Sequence, residues 1–327
     1  MTDRKKRWFM DLVDALRRKI GVLDDGEYLS GLNAVLMHVE TAFRHLMRGQ
    51  ETSDETAYTD AIYRTNQAFE GSLKEAYRVL AGQDPSKHSP YNIENYLEKN
   101  KIFRSRTLKL LTNYRVDWRN PSTHDYKLDF DESEAFLAII SVSAFACLLL
   151  DQITEKLAFN KSKKELNAQK SMLQAGLAKA VETDFFEYVV SLIELFCKNY
   201  APSTHGMTSE AQISGTLQGF IATAAPSIKI ESEIMIGNER QFRSDILVER
   251  NGERVVIEIK RRMMKHSYDN AVRQVERYIL QHNGLNGVLL FLPETPSEME
   301  RRNIITVDHE GAGRIAIISP LGSNYAF

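Results

Sequence analysis

Cysteine is nearly absent from this chain: of its 327 residues only Cys147 and Cys197 carry a thiol. Both sit in apolar stretches, so they read as buried, reduced thiols of a protein in a reducing compartment. Their number and spacing exclude a zinc site built from cysteines. An excess of charge of either sign is missing too. The formal net charge is -2, which supplies no overall electrostatic footprint for nucleic acid, so any such contact has to come from local basic clusters. Long apolar runs are also lacking. The most apolar one, Ala135 to Leu150, stops short of the ~20 residues that cross a bilayer and has acidic residues on both sides. It is expected as a buried helix, with no membrane contact. Arg4, Lys5, Lys6 and Arg7 lie near the start, but no apolar segment of a secretory signal follows them. A cytoplasmic location is expected. No P-loop pattern occurs, so ATP-driven translocation is not expected within this chain; a partner protein encoded elsewhere could supply it. Internal repeats and low-complexity segments are missing as well.

What is present is the balance of a globular protein: 43% of residues are hydrophobic and 26% charged. The length accommodates two domains. The first half has helical periodicity. Leu32, Val35, Leu36, Val39, Phe43 and Leu46 share one face of a helix over Leu29 to Leu46, and Ile62, Phe69, Leu73, Ala76 and Leu80 repeat the pattern over Ala57 to Leu80. Gly82 stops the second helix, and Asp84-Pro85 opens a turn region that reaches Pro90. Ile93 to Tyr114 is a third helical stretch. A polar break from Arg119 to Asp131 precedes the apolar helix at Glu134 to Ile153. Lys156 to Lys179, rich in Lys, Gln and Ala, is expected as an exposed helical connector, followed by an apolar helix at Phe185 to Tyr200.

Beyond Ser209 to Thr223, still helical, the period drops toward two. Ile230, Ile234 and Ile236 mark one strand, and Ile246, Leu247 and Val248 a second. Asn251-Gly252 is a strong hairpin turn, and Val255, Val256, Ile257 and Ile259 form a third strand. A helix over Tyr268 to His282 and strands at Gly287 to Leu292 and Ile315 to Ser319 complete an α/β domain with a central mixed sheet. The organisation expected is a helical domain over 1–157, a helical connector over 158–204 and an α/β domain over 205–327.

The polar residues of the hairpin carry chemistry. Asp245 opens an otherwise apolar strand, while Glu258 and Lys260 interrupt another. Two apart, Glu258 and Lys260 project from one face, and a strand does not place two charges on a buried face without partners. The Asn251-Gly252 turn brings Asp245 within a residue or two of Glu258. Carboxylates brought together repel unless a positive group lies between them. A hard divalent cation, Mg²⁺ or Mn²⁺, suits their oxygens, can polarise a phosphoryl oxygen and can acidify a bound water. Lys260 can stabilise the charge that develops on phosphate. The implied reaction is phosphodiester hydrolysis.

Asp245 followed across the turn by Glu258-Ile259-Lys260 resembles the PD-(D/E)XK nuclease pattern. Glu210, on the helix upstream, matches the helical acidic residue that many members use as an additional metal ligand; it is equally a first-turn acid favoured by the helix dipole. Gln274-Val275-Glu276-Arg277-Tyr278 is similar to the QxxxY element of the RecB-like and Mrr-like branches, and Gln274 and Tyr278 share one helical face. The resemblance covers about Ser209 to Leu321. Ser244 stands where a proline would precede the aspartate. Arg261, Arg262 and Lys265 follow the motif, either lining a groove for phosphates or forming a solvated basic turn.

The polar break holds a second motif. Arg119 and His124, four residues between them, resemble the R-x(4–6)-H motif of HEPN domains, and the resemblance covers roughly Glu27 to Leu157. It implies metal-independent RNA cleavage, with His124 moving protons near neutral pH and Arg119 holding phosphate. It also implies a homodimer through the helical domain. The bland alternative is that Arg119 pairs with Asp117 or Asp125 and that His124 is a helix-entry residue. The fold class expected is therefore an α-helical, HEPN-like bundle followed by a PD-(D/E)XK α/β domain. The pairing resembles that of prokaryotic defence effectors. Three functions stand: a Mg²⁺-dependent DNase, a metal-independent ribonuclease, and a non-catalytic nucleic-acid-binding protein.

Overall fold

The computed structural model describes residues 3–124, 127–178, 180, 183–200, 208–236, 242–261, 265–282, 284–292, 298–307 and 313–321, with the backbone alone at 3–11, 124, 242, 265–267 and 302–303. The chain divides into two compact units, Met1–Lys156 and Leu157–Phe327.

The first unit is helical. Its elements are α1 (Asp3–Gly21), α2 (Tyr28–Thr52), α3 (Thr56–Leu80), α4 (Pro90–Lys99), α5 (Ser105–Tyr114), α6 (Asn120–His124) and most of α7 (Glu132–Leu166). All six apolar positions expected on α2 are buried, as are Ile62, Phe69, Leu73 and Ala76 of α3, while Leu80 is half-buried. Between α2 and α3 the chain reverses within three residues, with Ser53 at φ 55 closing the first helix.

Three expectations need correction here. Helix α1 was not anticipated from the sequence; Leu16 and Ile20 on it are buried. The single helical stretch expected over Ile93 to Tyr114 is two helices, because Lys101 takes φ 53 and Phe103 turns into the core between them. The polar break expected from Arg119 to Asp131 is helical in its first part, to His124, while residues 127–131 are not helical. A π-helical turn over Arg115–Arg119 leads directly into α6. Pro121, in the first turn of α6, has no amide to donate, and the wider π turn is one way a helix absorbs such a fault.

The apolar run lies on α7, which is longer than the run suggested at 35 residues. By length and composition this helix could cross a membrane, and half of its most apolar window is buried in the protein. Ala135, Ala138, Ile139, Val142, Phe145, Ala146, Leu149, Leu150 and Ile153 form its buried side. Cys147 and Cys197 are free and half-buried, and burial pushes the Cys197 thiol up to about 12.

The second unit has six described strands: β1 (Lys229–Ile236), β2 (Phe242–Arg250), β3 (Glu253–Lys260), β4 (Leu285–Phe291), β5 (Met299–Val307) and β6 (Gly313–Pro320), in the order β1-β2-β3-β4-β6-β5. β1, β2 and β3 are antiparallel, β4 lies parallel to both β3 and β6, and β5 pairs antiparallel with β6. This is the mixed sheet expected. Alternation sends Ile246, Val248, Val255, Ile257 and Ile259 to one face, where they pack with α9 (Phe185–Asn199) and α10 (Glu210–Ala224). Leu247, Val256, Leu289, Phe291, Ile315 and Ile317 face α11 (Lys265–Gln281) on the other.

The connector expected over 158–204 is not a separate piece. It belongs to the second unit, and α8 (Lys170–Gly176) and α9 contribute Leu173, Phe185, Val189, Leu192, Ile193 and Phe196 to the core beneath the sheet. Strand β5 was also not expected. It is an edge strand whose apolar period is broken by charge, and Arg301 on it is held by Glu187 at 2.8 Å and Glu194 at 2.9 Å, both on α9.

Candidate active site

The hairpin forms as expected: Asn251 and Gly252 both take positive φ, 53° and 86°, as a type I′ turn requires. It sets Ile246 opposite Ile257, Leu247 opposite Val256 and Val248 opposite Val255. One step further, the register places Asp245 across from Glu258, on the face that carries α11. The backbone ladder stops before that step. In its place the Ile259 amide donates to Asp245 Oδ2 at 2.8 Å.

Glu258 is 2% exposed, so its charge must be met from within. Lys260 Nζ lies 2.6 Å from Glu258 Oε1. Its stem runs alongside on the same face, two residues on, and the side chain is partly exposed. The second carboxylate oxygen, Oε2, is 3.4 Å from Tyr278 Oη, at the outer limit of a hydrogen bond. Tyr278 is fully buried on α11. Its hydroxyl donates to the Arg243 carbonyl at 2.6 Å and accepts from Gln274 Nε2 at 2.5 Å. Its pKa is raised, first by burial and then by the Glu258 charge.

Asp245 is half-buried. Burial, first, and the Glu258 carboxylate, second, push its acid up to about 7; the Ile259 amide and Lys260 oppose the shift, and the Glu210 charge adds to it. An aspartate held between a nearby carboxylate and a low-dielectric wall fits the donor chemistry of a hard divalent cation, which would remove the repulsion that raises the acid.

Asp245, Glu258, Lys260, Gln274 and Tyr278 are therefore brought together at one end of β2 and β3. Glu210 is less close. It is exposed in the first turn of α10, where Ser209 and Gln212 form a capping box, and it reaches Asp245 only through its charge. The three-carboxylate ligand set expected from Asp245, Glu258 and Glu210 is not assembled: among the described residues, no three His, Cys, Asp or Glu side chains converge to hold an ion. Arg261 is half-buried beside the motif. Arg262 and the Lys265 side chain lie outside the described residues.

Two features of the site were not expected. Glu233 on β1, which the β1–β2 register places across from Asp245, has φ 51, and the pairing passes from Ser232–Ile246 to Ile234–Ser244 without it. Arg243, two residues before Asp245 on the same face, pairs with Glu233 at 3.5 Å. Alternation along β2 could have flagged Arg243; nothing in the sequence signals the left-handed turn at Glu233.

In the helical unit Arg119 lies at the end of the π turn. It bonds Asn120 Oδ1 at 3.1 Å and pairs with Glu70 at 3.9 Å; among the described residues no pairing with Asp117 is seen. A polar chain adjoins it: Tyr114 Oη lies 2.7 Å from Thr65 Oγ1 and 2.9 Å from Asn66 Oδ1, its one proton within reach of either, Asn66 donates to Ser122 Oγ at 2.7 Å, and Ser122 donates to the Arg119 carbonyl at 3.1 Å. His124 closes α6 in the backbone, and its side chain lies outside the described residues.

No protein-family model, curated protein or solved structure matches this chain.

Proposed function

We propose that the second unit is a metal-dependent nuclease of the PD-(D/E)XK kind, hydrolysing phosphodiester bonds in DNA. The reading rests above all on Asp245 and Glu258, one fixed by a backbone amide and the other by Lys260, meeting at a strand end where an anion is disfavoured. The surrounding groups support it. A merely structural ion pair would not need a second carboxylate beside Glu258, nor a Gln274–Tyr278 pair buried against it.

Asp245 and Glu258 would hold Mg²⁺ or Mn²⁺, which would polarise a phosphoryl oxygen and acidify a bound water. Asp245 Oδ2 is already oriented by the Ile259 amide, so its geometry does not have to be organised on binding. Lys260 places a cation beside the carboxylates, where negative charge grows on phosphate during attack. Tyr278 keeps the start of β2 in place by holding the Arg243 carbonyl, and Gln274 orients the Tyr278 hydroxyl.

Cleavage of plasmid DNA and structured RNA by the wild type, Asp245→Ala and Glu258→Ala, each in Mg²⁺, Mn²⁺ or EDTA, tests the reading. Metal-dependent cutting lost in both variants is expected. Undiminished cutting in either variant sinks it.

A second reading belongs to the helical unit. Arg119 sits on a π turn, a distortion frequent at functional sites, and its carbonyl is tied through Ser122 and Asn66 to Tyr114. RNA cut in EDTA by the wild type and spared by His124→Ala would place a ribonuclease there.

A further inference from the structure

Arg243 occupies an unusual position for a surface cation. On β2 it points to the same face as Asp245, two residues away, which on a strand is about 6.7 Å. That distance is comparable to the step between neighbouring phosphates along one nucleic-acid strand. Its main chain is fixed, because the buried Tyr278 hydroxyl grips its carbonyl at 2.6 Å. Its side chain is not: it is 47% exposed, and its partner is Glu233 at 3.5 Å, longer than a tight ion pair. A rigid anchor with an exposed, loosely paired guanidinium suits the capture of an external anion, and guanidinium offers phosphate two parallel donors.

Glu233 supplies the second observation. A glutamate at φ 51 is in a conformation that L-residues avoid unless the surroundings impose it. It occurs on β1 at the residue the register places across from Asp245, and the ladder skips that one position while resuming on both sides. The distortion interrupts pairing along the β1 side of Asp245 and leaves the Glu233 carboxylate beside Arg243. An anion next to that guanidinium holds it poised in the absence of substrate, and a phosphate can displace it.

We infer that Arg243, held ready by Glu233, binds the phosphate adjacent to the one that is cleaved. The inference rests on the nuclease reading of Asp245 and Glu258, and identifies a backbone-binding contact that reads charge rather than sequence. In a chain with no overall positive charge, one well-placed cation matters more than it would on a basic surface.

Binding of a short fluorescein-labelled DNA duplex, followed by anisotropy in Ca²⁺ over a range of salt, tests it with the full chain. Arg243→Gln is expected to weaken binding about tenfold and to reduce the slope of log affinity against log salt by about 0.9, the mark of one lost phosphate contact. Arg243→Lys should restore the slope, which a purely structural role would not predict. Glu233→Gln should tighten binding roughly threefold by removing the competing anion, and that gain should vanish when Arg243 is also Gln. An unchanged salt slope in Arg243→Gln, or a Glu233→Gln gain that persists in the double variant, overturns the inference. Parallel cleavage in Mg²⁺ by the wild type and Asp245→Ala separates the two failures. If Asp245-dependent cutting survives while the slope is unmoved, only the role of Arg243 falls; if the wild type neither binds nor cuts, both fall.

Discussion

The Ile259 amide donates to the Asp245 carboxylate at 2.8 Å, just past the last backbone rung between β2 and β3. A side chain on one strand thus satisfies the main chain of the next, which fixes Asp245 Oδ2. The same bond explains why the carboxylate can persist beside Glu258: the amide partly offsets a repulsion that burial strengthens.

Asp245→Asn should make the metal-free protein more stable at alkaline pH. The Asp245 acid is raised to about 7 from its ordinary 3.8, so the folded state holds a proton that the unfolded state releases. Its contribution to stability is complete below the ordinary value and is lost as pH rises through about 7. In EDTA, the thermal midpoint of the wild type should fall across that range more steeply than that of Asp245→Asn, and excess Mg²⁺ should recover it in the wild type alone. Parallel profiles for the two proteins would count against the strained carboxylate pair.

Lys260→Ala leaves Glu258 buried without its ammonium. The expected loss of stability is about 1–3 kcal/mol, below the cost of breaking a fully buried pair because the Lys260 side chain is partly exposed. Cleavage should fall by about two orders of magnitude or more, since charge on the phosphate loses its stabilising cation. Urea denaturation and turnover on one preparation check both.

Tyr278→Phe keeps the ring in the core but removes the hydroxyl between Gln274 and the Arg243 carbonyl. A part-buried carbonyl left without its donor costs about 1 kcal/mol. Cleavage should drop while the dependence on Mg²⁺ concentration changes little, because both carboxylates proposed to hold the metal remain and the hydroxyl reaches Glu258 Oε2 only at 3.4 Å. A large shift in the Mg²⁺ requirement would instead place Tyr278 among the groups that set metal affinity.

Gly287→Ala tests how α11 is seated. A methyl group at Gly287 on β4 would meet Val275 Cγ1 at 2.3 Å, so α11 has to shift from the sheet. The expected cost is about 1–3 kcal/mol, with a loss of cleavage transmitted through the displacement of Tyr278 and Gln274. Wild-type activity with an unchanged thermal midpoint would show that the helix moves without affecting the site.

Much of this architecture is legible in the sequence. The apolar positions expected on α2 and α3, Leu80 aside, are buried where the period puts them, and Ser209 caps α10 at the boundary where the period changes. The hairpin follows from Asn251-Gly252, because few other residue pairs accept two positive φ values in succession. Elements with mixed signals were harder. Strand β5 carries Arg301 inside an apolar alternation, and its charges make sense only with Glu187 and Glu194 of α9 beside them. α9 itself has the pattern of any amphipathic helix, and nothing local says that its apolar face meets a sheet rather than other helices.

Local chemistry therefore determined which side chains could form the site: the turn sets the register, the register brings Asp245 to Glu258, and the strand period puts Lys260 on the same face. Tertiary structure decided what those side chains experience. The shift of Asp245, the grip of Tyr278 on Arg243 and the left-handed Glu233 all depend on burial and on neighbours remote in the chain. Desolvation and through-space charge depend on the packed surroundings, which no local stretch of residues specifies.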